Sequence, residues 1–213
     1  MCNRYQSYVN RGKMFGIELD QTARGINLPT SEINPGGQGI VMLSDWTVHK
    51  MDWGFITPKF SKRDPKKPIK PSIWNNTRSE NLHIPLWQSS FAGRRCLIPV
   101  VRFAEAEGPK GQMTRTWFTV PAGNYAEDDH FSVAGIWREE PQGLVYSMVM
   151  TRCAPPMTRI HDRMPVILAP RNREQWLLGS NEDAKALCVP WEGPLIEDRT
   201  AERWYTPKAG SLI

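Results

Sequence analysis

Hydrophobic residues in this chain fall into short runs separated by turn-forming residues, a spacing typical of strands rather than long helices. Pro35, Gly36 and Gly37 form a turn before the first of these runs. Pro99 lies inside the third run, and because it cannot donate a ladder hydrogen bond it predicts an edge strand or a bulge there. We expect strands at residues 39–43, 47–53, 96–101, 116–120, 131–137 and 145–150.

Two helices are predicted near the end of the sequence. One covers 171–178 after Pro170, and the other covers 181–187 with Ser180 or Asn181 as its cap. Strands dispersed through the chain with a few helices among them indicate a single α+β domain on a largely antiparallel sheet or open barrel. We place this domain at residues 1–190. We expect the mixed-charge tail, 191–213, to pack on the domain or extend from it.

Composition narrows the class of protein. The chain has 213 residues, of which 40% are hydrophobic and nine are Trp, enough for one substantial core. It contains no run of 18 apolar residues and no apolar leader, which predicts neither a membrane span nor a signal peptide. The cysteines form no CxxC pair, so we expect reduced cytoplasmic thiols, buried at Cys96 and Cys153, and neither a metal nor a cofactor.

Positive charge is concentrated in one stretch. The net charge is +5 and the pI about 9.1, and residues 59–70 hold six bases and one acid. This composition predicts a mobile loop beside an anionic partner, although a loop that is merely solvated has the same composition.

Cys2 directly follows the initiator Met1, and a residue this small normally allows Met1 to be removed. The mature chain would then carry an α-amine and a thiol on neighbouring carbons, titrating near pH 8 and about 8.5. An aldehyde condenses with such an amine to an imine, and the thiol then closes a thiazolidine ring. The same thiol can attack an acyl group with the amine as its base.

Two polar segments contain side chains suited to binding an anion. Asn76 can orient a substrate through its donor and acceptor, and the Arg78 guanidinium can hold a phosphate. In the alternative structural interpretation, Asn76 caps a turn and Arg78 pairs with Glu80. Arg163, in the segment 158–168, is a second candidate for phosphate binding.

Glu105 and His161 are the candidate proton carriers. Glu105 follows a mostly apolar run, and if it points inward, desolvation raises its pKa towards neutrality. Histidine both takes and gives a proton at physiological pH. The alternative is a solvated carboxylate at a strand end and a His that only holds a turn.

Taken in order, these segments resemble the SOS response-associated peptidase (SRAP) family of abasic-site processing proteins. The resemblance extends over roughly residues 2–178, and the stretch Ile160 to Leu168 matches the family pattern without a change. The other matching segments are Met1 to Tyr5, Asn76 to Glu80, Arg95 to Ala106 and Ala134 to Trp137.

The resemblance implies a sensor that links Cys2 to the sugar aldehyde of an abasic site in single-stranded DNA through a thiazolidine. Asn76 would position the amino terminus, Glu105 would shuttle protons, and His161 would assist opening of the deoxyribose ring. Flanking phosphates would be held by Arg4, Arg78 and Arg163. The implied protein protects the site during the DNA damage response, acts as a monomer without metal or cofactor, and lies in the cytoplasm, at the nucleoid after damage.

The sequence departs from the family pattern beside several of these residues. Asn3 replaces a Gly after the nucleophile, and Lys59 replaces a Trp. Ala104 and Ala106 replace the Tyr and Trp that flank the family's Glu. These changes bear on base stacking and substrate geometry more than on the reacting groups.

Two other functions fit the same residues. The chain could be an N-terminal-nucleophile thiol peptidase or amidohydrolase, in which Asn76 stabilises an oxyanion. Alternatively, it could be a single-stranded DNA-binding protein without chemistry, whose binding would be salt-sensitive and indifferent to the lesion.

Overall fold

The computed structural model describes residues 2–7, 13–18, 32–123, 130–155 and 157–205. These residues form seventeen strands, three α-helices and three 3-10 helices. The strands are β1 (Tyr5–Gln6), β2 (Lys13–Met14), β3 (Ile17–Glu18), β4 (Glu32–Ile33), β5 (Gln38–Met42), β6 (Val48–Trp53), β7 (Phe55–Phe60), β8 (Pro68–Trp74), β9 (Asn76–Arg78), β10 (Arg95–Val100), β11 (Arg102–Glu107), β12 (Thr114–Thr119), β13 (Phe131–Glu140), β14 (Gly143–Arg152), β15 (Arg163–Pro165), β16 (Ile167–Leu168) and β17 (Ile196–Arg203). The α-helices are α1 (Pro85–Gly93), α2 (Arg173–Leu178) and α3 (Asn181–Ala186), and the 3-10 helices are Ser79–Asn81, Met157–Arg159 and Pro170–Asn172.

Five strands close into a barrel. Going round it, β14 pairs with β6, β6 with β5, β5 with β10, β10 with β13, and β13 again with β14. All these pairs are antiparallel except β14 with β6. At the rim, β9 and β15 extend the sheet from β14, and β16 extends it from β13. The largely antiparallel α+β fold predicted from the sequence is confirmed.

Four of the barrel strands, β5, β10, β13 and β14, are largely buried on both faces, which explains their continuous hydrophobic runs, whereas β6 is partly exposed. Along β5, for example, Val41 belongs to the inner core cluster, whereas Ile40 and Met42 belong to the outer one. The outer cluster is covered by the helices, through Trp87 of α1 and Trp176 of α2 among others.

A second, fully antiparallel sheet lies against the barrel, with strand order β17-β12-β11-β1-β4. The phenol groups of Tyr5 in β1 and Tyr146 in β14 are hydrogen-bonded to each other and join this sheet to the barrel. A Cβ added at Gly39 would collide with both hydroxyls, so only glycine allows this junction. The junction thereby fixes the start of the chain on the barrel.

The predicted helices are present as α2 and α3. Ser180 caps α3 through a capping box in which its side chain and that of Asp183 each bond to the other's backbone amide. Helix α1, after Ile84, was not predicted, and its Pro85 lies at the first turn, where a missing amide costs nothing.

The structure differs from three local expectations. Pro99 lies in a barrel strand rather than at an edge, but the pairing of β10 with β5 is confined to Leu97 and Met42, so no bond on that side is lost at Pro99. Residues 59–60 and 68–70 belong to β7 and β8, so the predicted loop is confined to residues 61–67, the turn of the hairpin. Residues 76–78 form a short parallel strand on β14 rather than a turn.

Part of the predicted tail is ordered against the second sheet. Strand β17 pairs with β12, and the buried Trp204 packs against Trp117 and Ala104. Residues 206–213 lie outside the described residues, as does Met1. The domain boundary at residue 190 stays a prediction.

Gly39→Ala should destabilise the protein by about 2 kcal/mol, because the new methyl group has to displace the paired tyrosine hydroxyls. Urea unfolding followed by tryptophan fluorescence would measure this loss. Gly93→Ala is the matched control, since no atom lies within 4 Å of the added Cβ and the residue ends a helix. An unchanged midpoint for Gly39→Ala would show that the junction is loosely packed.

Candidate active site

Cys2 lies three residues before strand β1, in the interior of the protein. Cys2 is fully buried, and its thiol donates a hydrogen bond to the Arg4 carbonyl oxygen at 3.4 Å. Three residues later Tyr5 pairs with Phe103 of β11, so the position of Cys2 is tied to the same strand that carries Glu105.

Two asparagine side chains hold the Cys2 backbone. Asn76 Nδ2 donates to the Cys2 carbonyl oxygen at 2.5 Å, and Asn75 Nδ2 donates to the same oxygen at 3.2 Å. Asn76 is fixed by the parallel pairing of β9 with β14, and Trp53 Nε1 donates to the Asn75 carbonyl at 2.7 Å. The sequence predicted Asn76 but not Asn75, although the adjacent pair of asparagines was visible.

Glu105 points inward from the middle of β11 and is 2% exposed. Burial raises its pKa to about 7, with a further increase from the negative charge of Asp162, while the positive charge of the amino terminus acts in the opposite direction. The carboxyl group therefore exchanges its proton near neutral pH. Its charge also raises the pKa of the Cys2 thiol, which burial raises more strongly, so the two groups lie within electrostatic reach.

His161 lies before β15 and is partly buried. Its Nδ1 accepts a hydrogen bond from the Arg163 backbone amide at 2.9 Å, which assigns the proton of the neutral ring to Nε2. Burial lowers the pKa of His161 below its ordinary value. The ring is therefore mostly neutral at pH 7.

A cleft of about 430 Å³ opens beside these groups, lined by Arg152, Cys153, Thr158, His161, Asp162 and Arg163. The Cys153 amide donates to the Asp162 carbonyl at 3.1 Å, joining the two walls. Burial, followed by the charges of Glu105 and Asp162, raises the pKa of the Cys153 thiol to about 12. Cys153 was predicted to be a buried small hydrophobe, but it is only half-buried and faces this cleft.

The three predicted phosphate-binding arginines have different surroundings. Arg78 is exposed, and within the described residues it forms no salt bridge. Arg163 pairs with Glu80 at 2.5 Å and lies 3.7 Å from Asp162, so Glu80 pairs with Arg163 rather than with Arg78.

Arg4 points away from the cleft. Its guanidinium pairs with Glu32, donates to the Trp204 carbonyl at 3.3 Å and lies over the Trp204 ring at 5.4 Å. The structure thus gives Arg4 internal partners, whereas Cys2, Asn76, Glu105 and His161 surround one region.

Comparison with known proteins identifies the family of this chain. The sequence model of the family described as SOS response associated peptidase (SRAP) matches residues 1–201. The chain belongs to the SRAP family. One relative is the Abasic site processing protein YobE of Bacillus subtilis (strain 168), which is 27% identical over 79% of this chain and 78% of the relative. Another is the Abasic site processing protein YoqW of Bacillus phage SPbeta, which is 28% identical over 92% of this chain and 90% of the relative.

Solved structures share the fold of this SRAP protein. A crystal structure of a protein from Bacteroides thetaiotaomicron has a TM-score of 0.71 at 19% identity, over 93% of this chain and 91% of that one. One from Bordetella bronchiseptica has a TM-score of 0.70 at 22% identity, over 93% and 99%.

The described residues contain no candidate for a membrane-spanning helix or a metal-binding cluster. None of the α-helices found there has the length and apolar character needed to cross a bilayer. The same ranges contain no group of three or more His, Cys, Asp or Glu side chains arranged to hold a metal ion.

Glu105→Gln in this SRAP protein should change how stability depends on pH. With a folded pKa of about 7 against an ordinary 4.5, the carboxyl group favours folding fully below about pH 4.5, and this contribution is lost as pH rises through 7. Relative to the wild type, the variant should therefore gain about 2 kcal/mol of unfolding free energy between about pH 5 and pH 8. Urea unfolding at both pH values measures it.

Glu107→Gln is the control on the same strand. Although burial opposes the shift, the hydrogen bond from Thr116 and the nearby Arg199 lower the pKa of Glu107. Its variant should therefore lose stability relative to the wild type as pH rises through the acidic range. If the unfolding free energies of Glu105→Gln and the wild type changed in parallel with pH between about pH 5 and pH 8, the pKa of Glu105 would not be raised.

Proposed function

We propose that this SRAP protein processes abasic sites in single-stranded DNA by forming a covalent thiazolidine between Cys2 and the sugar aldehyde, after removal of Met1. The observation that carries the proposal is the Cys2 carbonyl held by Asn76, beside a buried carboxyl group whose pKa is about 7. The names of the relatives at 27% and 28% identity support the same substrate. We expect a monomer acting in the cytoplasm, at the nucleoid after damage.

The first step is attack by the amine. Removal of Met1 leaves the α-amine on Cys2, whose carbonyl Asn75 and Asn76 already hold. Asn76 Oδ1 is buried and accepts no hydrogen bond from any described residue, so it is available to orient the new amine. Glu105 takes a proton from the attacking amine and returns it to the departing water, which yields the imine.

His161 acts on the sugar before this attack. An abasic sugar is mostly a closed hemiacetal, and opening it requires proton transfer at the ring oxygen and the anomeric hydroxyl. His161 borders the cleft beside Cys153 and Asp162, with its Nε2 carrying the proton of the neutral ring. It therefore moves a proton between these oxygens, separately from the role of Glu105.

Ring closure uses the Cys2 thiol. Because burial and the Glu105 charge raise the pKa of the thiol, it is protonated until the imine forms. Glu105 then takes the thiol proton as the sulfur–carbon bond forms, and the imine nitrogen receives a proton. The closure involves no oxidation or reduction. It also removes the imine that would otherwise promote β-elimination and strand cleavage.

DNA contacts follow from the surroundings of the arginines. We assign the flanking phosphates to the exposed Arg78 and to Arg163, whose guanidinium is already held by Glu80. Arg4 remains in its internal pair with Glu32 and contributes to the position of β1 instead. A single strand suits this open arrangement because no duplex has to be opened around the lesion.

The peptidase alternative takes its support from the family description. It needs a thiol that is ready to attack an acyl group, whereas burial raises the pKa of the Cys2 thiol, and the Asn76 amide already donates to the carbonyl of Cys2 itself. Turnover of fluorogenic peptides that depends on Cys2 would favour this alternative.

Wild-type protein mixed with an oligonucleotide carrying one abasic site should give a heat-stable band on a denaturing gel. Its mass should equal that of the protein without Met1, plus the oligonucleotide, minus one water. Cys2→Ser should shift the outcome towards strand cleavage, because the amine remains while the hydroxyl closes the ring poorly. Cys2→Ala should give a band only after borohydride reduction of the imine.

Cys153→Ala is the matched thiol control, since Cys153 faces the same cleft and lies within reach of the Glu105 charge. It should retain the heat-stable band. Absence of any adduct with wild-type protein from which Met1 has been removed would reject the crosslinking mechanism, leaving the peptidase and the plain DNA-binding protein.

A further inference from the structure

The net positive charge of the protein comes from one hairpin, β7–β8, residues 55–74, which we call the basic arm. The arm contains six bases and one acid, out of 27 bases and 22 acids in the chain. The remainder therefore has 21 of each and no net charge. Within the described ranges, none of the six basic side chains of the arm forms a salt bridge, whereas seven arginines of the body do.

The tip of the arm is an ordered turn. Ser61 Oγ accepts hydrogen bonds from the amides of Arg63 and Asp64, and the Asp64 carboxylate accepts from the Lys66 amide at 3.0 Å. The one acid of the arm is thus bonded to the backbone. Lys62, Arg63, Lys66 and Lys67 are all exposed on this turn.

The root of the arm is anchored to the barrel beside the active site. Glu140 accepts the Ile56 amide at 2.9 Å, and Arg138 donates to the Ile56 carbonyl at 3.2 Å. The return strand leads directly into Asn75 and Asn76, which hold Cys2. Among the described strands, β7 and β8 pair only with each other.

Large apolar side chains are exposed along the same hairpin. Trp74 is 43% exposed immediately before Asn75, and Phe60, Ile69 and Ile73 are also exposed. An exposed indole near lysine and arginine side chains that form no salt bridge is a combination that binds single-stranded nucleic acid. The ring stacks on nucleobases, and the charged side chains contact phosphates.

We propose that the basic arm binds the single strand that flanks the abasic site. Trp74 stacks on a neighbouring nucleobase, and the four basic side chains of the tip contact more distant phosphates. The proposal rests on the proposed function for its ligand. At about 3.3 Å per residue, the eight residues from the tip to Asn75 reach about 26 Å. A trinucleotide centred on the lesion would therefore not reach the tip.

The test compares two variants with equal loss of charge. The arm variant replaces Lys62, Arg63, Lys66 and Lys67 with Gln, and the control variant replaces the exposed Lys50, Lys110, Arg171 and Arg203 with Gln. Binding to an undamaged single strand of about 15 nucleotides is measured against salt concentration. The slope of log K against log salt should fall in magnitude by about 3 in the arm variant, at roughly 0.7 for each of the four phosphate contacts.

Crosslinking to an abasic trinucleotide separates this proposal from the proposed function. The arm variant should crosslink the trinucleotide as fast as the wild type does. With the longer strand it should crosslink more slowly than the wild type. If the wild type itself does not react, the proposed chemistry fails, whereas the salt slopes still test the arm. Equal slopes for both variants, or a loss confined to anionic lipid vesicles, would overturn the arm proposal.

Trp74 is tested separately by Trp74→Ala and Trp74→Phe. The alanine variant should bind the undamaged strand about tenfold more weakly, and phenylalanine should restore most of the affinity because it retains an aromatic face. Leu178→Ala is the control for loss of an exposed apolar side chain elsewhere. Equal affinity for Trp74→Ala and the wild type would exclude stacking at this position.

Discussion

The two asparagine amides on the Cys2 carbonyl are the contact on which the rest of the site depends. The first residues of a chain ordinarily fray, and a nucleophile placed there has no fixed geometry. Here Asn75 and Asn76 donate to the same oxygen, and the strand that carries them is paired with the barrel. The proposed amine, thiol and carboxyl groups can meet only because this carbonyl is held.

The barrel provides the stability that such a site requires. Most of its strands are largely buried on both faces, and the hydrogen bond between Tyr5 and Tyr146 fixes the strand that follows Cys2 to the barrel. Glu105 works against this stability, since a carboxyl group buried at a pKa of about 7 costs free energy when it ionises. Its burial is thus better explained by chemistry than by packing.

The sequence was informative where one local pattern had one structural outcome. Apolar runs predicted the barrel strands, and the cap at Ser180 predicted α3. It failed where the outcome depended on distant partners. Residues 59–60 and 68–70 are polar enough for a loop but are held as strands by pairing, and Asn76–Arg78 is a strand only because β14 is beside it. The family resemblance assigned a flanking phosphate to Arg4, yet its partners Glu32 and Trp204 are far along the chain.

The environment reverses the usual order of proton affinity between the two acid–base groups. Carboxylic acids ordinarily release their proton well below histidine, but burial raises the pKa of Glu105 to about 7 and lowers that of His161 from 6.5. In the free protein, Glu105 therefore holds a proton more firmly than His161. In the proposed complex, phosphates beside Arg163 would favour the charged form of His161, because an opposite charge stabilises it. His161 would thus become the acid that ring opening needs, while the ionised fraction of Glu105, substantial at a pKa of about 7, receives the amine proton.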